Sequence, residues 1–80
     1  MKRILKYGPI WHDADVEVEG FPVKVDVQDG DIYVWSVVNI DKYNRRLKCR
    51  YIPTGAEFDE EHWVGTVVTP AGFVWHVIGK

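Results

Sequence analysis

The chain has 80 residues, a formal net charge of −2, 46% apolar residues and 28% charged residues. This balance is typical of a globular protein and excludes a disordered or low-complexity chain. The length allows one small core and leaves no room for a second domain. Cys49 is the only cysteine, so no internal disulfide can form, and no apolar run is long enough for a secretion signal or a membrane span. We therefore expect a protein of a reducing cytoplasm, with no membrane partner.

The first half of the chain alternates apolar and polar residues with a period of two, which is typical of half-buried β-strands. Residues 16–19 alternate valine with glutamate up to Gly20, and residues 23–28 alternate again. Asp29-Gly30 then predicts a two-residue type I′ turn, because both central positions of that turn need a positive φ. Residues 32–38 form the predicted return strand of this hairpin.

The register of this hairpin divides its side chains between two faces. The turn pairs Val27 with Ile32 and Val25 with Val34. We expect the core to receive the face that consists of Val23, Val25, Val27, Ile32 and Val34. The opposite face places Tyr33 and Trp35 among polar residues, namely Lys24, Asp26 and Gln28. Large aromatic side chains in such surroundings predict a surface that is covered by a loop, a subunit or a ligand.

A further strand is predicted after a polar loop at residues 41–46. Residues 47–52 alternate again, and their inward-facing residues are Leu47, Cys49 and Tyr51. Residues 57–62 are too few for a stable helix, so we expect a loop or at most one short helical turn there.

Val64–Thr69 and Phe73–Ile78 form a second predicted hairpin, around the turn Pro70-Ala71-Gly72. Its register pairs Thr66 with His76 and sets Gly65 opposite Val77. One face then carries Val64, Thr66, Val68, Val74, His76 and Ile78. The other carries Val67, Phe73, Trp75 and Val77. Because both faces are apolar, both need burial, at the centre of a sandwich or in a subunit interface.

The predicted strands define the fold class. We expect an all-β protein with a single domain over residues 1–80. Its architecture is a small antiparallel sandwich or an open barrel of six or seven short strands, joined mostly by hairpins. No internal repeat and no linker interrupts the chain.

The side chains available for chemistry lack the spacings of known catalytic and metal sites. His12, His62 and His76 lie on different predicted elements without paired ligands nearby, so we expect no metal and no cofactor. Ser36 has no glycines of a nucleophile elbow around it, and Cys49 falls on the apolar side of its strand. We expect His76 to be a hydrogen-bonded core or interface residue. No catalytic residue is assigned, and we expect no enzyme.

The charge pattern is more informative. Residues 42–50 hold five cations and no acid, and these cations are Lys42, Arg45, Arg46, Lys48 and Arg50. Tyr43 lies within this run and Tyr51 follows it. Arginine binds phosphate with two parallel hydrogen bonds and aromatic rings stack on bases, so the run indicates a nucleotide, a single strand or an acidic protein surface as partner. The alternative is a solvated loop that balances the acidic segments 13–19 and 57–61.

Short fragments stand in order along the chain: Lys6-Tyr7, Gln28-x-Gly30 followed by Trp35, Thr54-Gly55, Trp63-Val64-Gly65-Thr66-Val67 and Val74-Trp75-His76-Val77. Together they resemble a family of small phage and prophage proteins of unknown function. Pro53 stands where that family usually has glycine, and Leu5 stands where it has an aromatic residue. The resemblance implies a phage origin and action in the cytoplasm of a bacterial host, and it transfers no catalytic residue.

These observations lead to one expected function and two alternatives. We expect a non-catalytic, homo-oligomeric anti-defence protein that binds and sequesters a host factor, foremost a nucleotide-type immune signalling molecule. The candidate binding residues are Tyr33, Trp35, Tyr43, Arg45, Arg46, Arg50, Trp75 and His76. One alternative is a protein-directed, anti-CRISPR-like inhibitor of a host defence complex, anchored by Tyr33 and Trp35. The other is a small nucleotide hydrolase that uses His76 or a pair of carboxylates.

Overall fold

The computed structural model describes residues 1–80 and consists of seven strands without a helix. The strands are β1 (Lys2–Ile10), β2 (Val16–Glu19), β3 (Phe21–Gln28), β4 (Asp31–Asn39), β5 (Arg46–Pro53), β6 (His62–Val68) and β7 (Val74–Gly79). They form a three-stranded sheet in the order β1-β4-β3 and a four-stranded sheet in the order β2-β5-β7-β6, both antiparallel in all their pairings. The sheets pack as a sandwich and do not close into a barrel. The predicted all-β antiparallel fold is confirmed.

The first predicted hairpin is present with its predicted register. Asp29 and Gly30 have φ angles of 53° and 84°, as a type I′ turn requires. Val27 pairs with Ile32, and the register continues through Val25 and its partner on β4. The turn residues therefore determine which side of β4 faces the core.

The placement of Val23 in the core is wrong. A bulge lies between Pro22 and Lys24, which pair with Ser36 and Trp35 in turn, so Val23 has no partner on β4. Its side chain is 53% exposed. An extra residue in one strand changes the phase of every residue before it. As a result Phe21 lies on the outer face of the sheet, paired with Val37.

The core lies between the sheets and consists of Ile10, Val18, Ile32, Val34, Cys49, Val67 and Val77. Leu47 and Tyr51 pack against it, as predicted from the alternation of β5. Gly65 lies where β6 meets β3 of the other sheet. A Cβ atom placed on Gly65 would lie 2.8 Å from the Val25 Cβ and closer still to its Cγ2, so glycine allows the two sheets to approach here.

The second hairpin also has its predicted pairs, with Thr66 opposite His76 and Val67 opposite Trp75. The prediction that Val64 shares the face of Thr66 and His76 is wrong. A bulge between Trp63 and Gly65 sets Trp63 opposite Ile78, and Val64 packs against the core instead. As with Val23, one inserted residue moves the neighbouring side chains of its strand to the other side of the sheet.

Residues 54–61 cross the outer face of the four-stranded sheet. Strands β5 and β6 are both antiparallel to β7 and lie on either side of it, so they run in the same direction. Their connection must return along the sheet, and the inner face is already filled by the other sheet. Ile52 and Ile78 point outward yet are buried. The crossing segment thus covers part of the second apolar face within one molecule.

The chain changes sheets at Gly20, between β2 and β3. Gly20 has a φ of 84°, and an added Cβ would collide with the Val37 carbonyl, so this corner requires glycine. Its N–H donates a hydrogen bond to the Arg45 carbonyl at 2.8 Å, and its carbonyl accepts one from Arg45 Nε at 3.5 Å. The loop before β5 is therefore attached to the corner.

Candidate functional site

Tyr33 and Trp35 lie side by side on the outer face of the three-stranded sheet. They alternate with buried Ile32 and Val34 on the central strand β4, which points both rings away from the core. Their ring centroids are 6.4 Å apart and the rings are inclined by 61°. Both side chains are half-buried, so part of each ring is open to a partner.

Each ring has a lysine from a flanking strand above it. Lys6 of β1 and Lys24 of β3 both pair with Trp35 in the sheet register. Lys6 Nζ lies 4.7 Å from the centre of the Tyr33 ring, and Lys24 Nζ lies 5.9 Å from the centre of the Trp35 ring. Exposed cation–π contacts of this kind contribute about 0.5–1 kcal/mol each. The face therefore combines rings and positive charge.

Asp26 pairs with Tyr33 across the sheet, and its carboxylate has partners of its own. Asp26 Oδ2 lies 3.3 Å from Lys24 Nζ, and Asp26 Oδ1 accepts a hydrogen bond from the Val27 N–H at 2.8 Å. That backbone hydrogen bond, followed by the contact with Lys24, lowers the pKa of Asp26. Lys6 Nζ donates a hydrogen bond to the neutral Gln28 Oε1 at 2.8 Å, so its charge is not neutralised.

Phe21 and Arg45 extend the same face towards the far end of β4. Phe21 is 64% exposed, and Arg45 Cζ lies 5.5 Å from the centre of its ring. Arg45, Tyr43 and Lys2 line a shallow hollow of about 270 Å³ together with Phe21. We call the surface made of Lys6, Phe21, Lys24, Tyr33, Trp35, Val37 and Arg45 the aromatic face. The structure thus places the candidate residues Tyr33, Trp35, Tyr43 and Arg45 along one side of the molecule.

Arg46 and Arg50 lie on the other sheet and are paired with acids. The two Nη atoms of Arg46 lie 3.4 Å from Glu17 and 3.4 Å from Glu19 on the neighbouring strand β2. Arg50 binds the Glu61 carboxylate through Nε at 2.9 Å and Nη2 at 2.8 Å, which lowers the pKa of Glu61. The predicted cationic run is therefore divided between Arg45 and Arg46, and its second half does not reach the aromatic face.

Trp75 and His76 are neighbours in sequence and lie on opposite sides of β7. Trp75 faces the core, where its ring meets Tyr51 edge-on at 5.1 Å and stacks on Phe73 at 6.0 Å. His76 faces outward beneath the crossing segment and lies opposite Thr66. Neither residue contributes to the aromatic face.

His76 has a hydroxyl on each ring nitrogen. Nε2 lies 2.7 Å from Thr54 Oγ1, and Nδ1 lies 2.9 Å from Thr66 Oγ1. Trp63 Nε1 donates a further hydrogen bond to Thr66 Oγ1 at 2.9 Å. The network brings together three of the fragments quoted above, Thr54-Gly55, Trp63–Val67 and Val74–Val77. Pairing of Thr66 with His76 follows from the hairpin register, whereas the Thr54 contact depends on the path of the crossing segment.

The remaining reactive groups have simple surroundings. The Cys49 thiol is buried, and burial raises its pKa to about 11, with a smaller contribution from Asp15. No three histidine, cysteine, aspartate or glutamate side chains are grouped as metal ligands. With no helix in the fold, no segment qualifies as a membrane-spanning helix.

Comparison with known proteins gives one match. The model of a domain of unknown function, DUF7352, matches residues 1–80. No curated protein and no solved structure matches the chain. The family match covers every strand of both sheets, so it includes the aromatic face and the His76 network.

Proposed function

The chain belongs to the DUF7352 family, whose function is unknown, and we propose that it is a non-catalytic binding protein for an anionic, ring-containing ligand of the nucleotide class. The observation that carries this proposal is the placement of Lys6 and Lys24 against Tyr33 and Trp35 on one open sheet face. Aromatic rings stack on bases, and lysine and arginine bind phosphate.

The aromatic face supplies both parts of such a ligand with a partner. A base would stack on Tyr33 or Trp35, a contact of about 1–3 kcal/mol per base. The lysines above the rings move readily, because they lie on flexible stems, and turn to the phosphate. Arg45 completes the face near Val37, about 13 Å from Tyr33 at the strand rise. This length accommodates a ligand with more than one phosphate or base.

Sequestration is the form of action that suits a binding site without catalytic groups. The resemblance to small phage proteins favours an anti-defence role in a bacterial host cytoplasm, with an immune signalling nucleotide as the ligand. We include a homo-oligomeric state in the proposal, since several large apolar side chains are exposed, among them Ile4, Phe21, Trp63 and Phe73. A second copy would cover part of this area.

Calorimetry against a panel of cyclic dinucleotides and ADP-ribose derivatives tests the proposal. We expect saturable binding of at least one compound, weakened about tenfold or more by Trp35→Ala, in line with the loss of one stacked base. Phe73→Ala serves as the control, because Phe73 is exposed but lies outside the aromatic face. The proposal fails if no compound of the panel binds, or if both variants bind as well as the unaltered chain.

A protein partner is the second candidate, and the exposed apolar rim of the aromatic face favours it. Ile4 and Phe21 are both exposed beside the Val37 position, where a small polar ligand would leave them in water. Aromatic anchors within a charged rim are typical of protein interfaces. Affinity capture from host lysate distinguishes the candidates. Recovery of one stoichiometric protein, lost in Trp35→Ala, favours the inhibitor, whereas a retained nucleotide favours sequestration.

A further inference from the structure

Strand β1 lies at one edge of the three-stranded sheet and pairs only with β4. The Ile40 N–H donates a hydrogen bond of 3.0 Å to the Met1 carbonyl, which fixes the phase of this ladder. In an antiparallel ladder, residues that bond to the neighbouring strand alternate with residues whose N–H and C=O groups point away from it. The main-chain groups of Lys2, Ile4 and Lys6 therefore point outward from the edge of the sheet.

These outward groups are free and accessible. No backbone hydrogen bond joins β1 to a strand other than β4. Residues 2–6 are all exposed, and Ile4 is 63% exposed. A hollow of about 470 Å³ lies beside the strand, and Leu5 lines it together with Glu19 and Arg46 of the other sheet. The other sheet therefore leaves this edge open, and each outward residue offers one donor and one acceptor.

The other three edges carry features that hinder pairing with another chain. β2 has only four residues, β3 contains Pro22 and the bulge at Val23, and β6 contains the bulge between Trp63 and Gly65. Short strands, prolines and bulges are common means of blocking the edge of a sheet. β1 keeps a regular register over Lys2–Tyr7, so it is the edge best suited to accept a further strand.

The charge of β1 determines what kind of strand it accepts. Lys2, Arg3 and Lys6 are basic, the strand contains no acid, and none of these three side chains forms an ion pair. If two copies of β1 paired about Ile4, Lys2 of each copy would lie opposite Lys6 of the other. Like charges at opposite positions are destabilising, whereas opposite charges are favourable. The edge therefore selects an acidic strand over a second copy of itself.

We propose that the outer edge of β1 binds an extended acidic segment of a partner protein as an additional antiparallel strand. The main chain of the segment pairs with Lys2, Ile4 and Lys6. The pattern that fits is acid, any residue, apolar residue, any residue, acid, because the acids then lie opposite the two lysines and the apolar side chain lies against Ile4. The inference is independent of the nucleotide function, since the outward main-chain groups take no part in the aromatic face.

Calorimetric titration of the full chain with the capped heptapeptide Thr-Glu-Thr-Val-Thr-Glu-Thr tests the proposal. One control peptide has proline in place of valine, which keeps the charge and removes the central main-chain donor. A second has lysine in place of both glutamates. We expect saturable binding of the first peptide, binding of the proline peptide that is weaker by about fivefold or more, and no binding of the lysine peptide. Equal affinities for the valine and proline peptides, or no binding of the valine peptide, would overturn the proposal.

Amide hydrogen exchange shows where the peptide lies. In the free chain the Ile4 and Lys6 amides should exchange rapidly, whereas the Leu5 and Tyr7 amides are protected by β4. Saturation with the valine peptide should slow exchange at Ile4 and Lys6 about fivefold or more. A bound peptide that leaves these two amides unprotected contradicts the assignment to this edge. Because a nucleotide on the aromatic face would not protect them, the two proposals can fail separately.

Variants of the strand complete the test. Ile4→Pro removes the outward donor, which β4 does not use, whereas Ile4→Ala keeps it. We expect Ile4→Pro to bind the valine peptide about fivefold or more weakly than Ile4→Ala does. Lys2→Glu combined with Lys6→Glu should reverse the preference, so that the lysine peptide binds and the glutamate peptide does not. A folded Ile4→Pro chain that binds as well as Ile4→Ala, or a preference that does not reverse, argues against strand pairing at β1.

Discussion

Arg45 and Arg46 are consecutive in sequence, yet they interact with different sheets. Arg45 lies over the Phe21 ring of the three-stranded sheet, whereas Arg46 forms ion pairs with Glu17 and Glu19 of the four-stranded sheet. One guanidinium is therefore left without an acid and the other is neutralised. This difference provides a matched pair of variants with the same chemistry and opposite expectations.

Arg45→Ala is expected to weaken nucleotide binding several-fold, because it removes a cation without a carboxylate partner from the aromatic face. Arg46→Ala is expected to leave binding nearly unchanged, since its charge is already compensated by Glu17 and Glu19. Calorimetry at low and high salt measures both. The affinity of the unaltered chain should fall as salt rises, and the Arg45→Ala chain should show a flatter dependence. Equal losses in the two variants would contradict the division of the cationic run.

Gly65→Ala is expected to destabilise the fold by about 1–3 kcal/mol, because the new methyl group would overlap the Val25 side chain in the other sheet. Urea unfolding measures the change. The control is the same substitution in a Val25→Ala chain, where the space is vacated. In that chain Gly65→Ala should reduce the free energy of unfolding much less. The difference between the two reductions is the coupling energy between positions 25 and 65. Additive effects would indicate that the sheets do not meet at this point.

Acidification is expected to remove stability through Glu61. Its contact with Arg50 places the folded-state pKa below that of the unfolded chain, so the contribution is fully present above the unfolded-state pKa. It is lost as the pH falls through the folded-state pKa. The midpoint of urea unfolding, followed from neutral to acidic pH, should decline less steeply in Glu61→Gln. The pKa of Asp26 is also lowered in the folded state, so Asp26→Asn is measured beside Glu61→Gln. An unaltered slope in Glu61→Gln would refute the assignment.

Thr54→Val is expected to loosen the crossing segment at residues 54–61. The substitution keeps the shape of the side chain and removes the hydroxyl that lies 2.7 Å from His76 Nε2. The loss of one such hydrogen bond costs about 0.5–1.5 kcal/mol. Amide hydrogen exchange within the segment should accelerate, while exchange in the hairpin of β3 and β4 stays the same. Thr54→Ser retains the hydroxyl and should restore most of the protection. Unchanged exchange in Thr54→Val would show that the hydroxyl does not hold the segment.

The sequence was sufficient to predict the hairpins, because their turns contain the residues that the turn geometry demands. Asp29-Gly30 determines the register through Val25, and the Pro70–Gly72 turn determines the pairing of Thr66 with His76. The predicted assignment of side chains to the two faces is wrong at and beyond the bulges at Val23 and Val64. A bulge depends on how the two sheets pack, so the alternation of residues along one strand does not predict it.

Strand β1 and the path of residues 54–61 are the other features that local sequence patterns do not reveal. Lys2–Ile10 lacks a clear alternation and is interrupted at Gly8-Pro9, where the register with β4 shifts. It became a strand through pairing with a partner more than twenty residues away. The position of Lys6 over Tyr33, and that of Thr54 beside His76, both follow from such distant pairings. Local patterns therefore could not predict these two contacts.

The corner at Gly20 has a consequence for how the protein would respond to a bound anion. The backbone of Arg45 is tied to the point where the chain leaves one layer and enters the other. An anion that binds the Arg45 guanidinium therefore contacts a residue that is attached to the junction of both sheets. Ligand binding should raise the melting temperature of both sheets together, so that thermal unfolding remains a single cooperative transition.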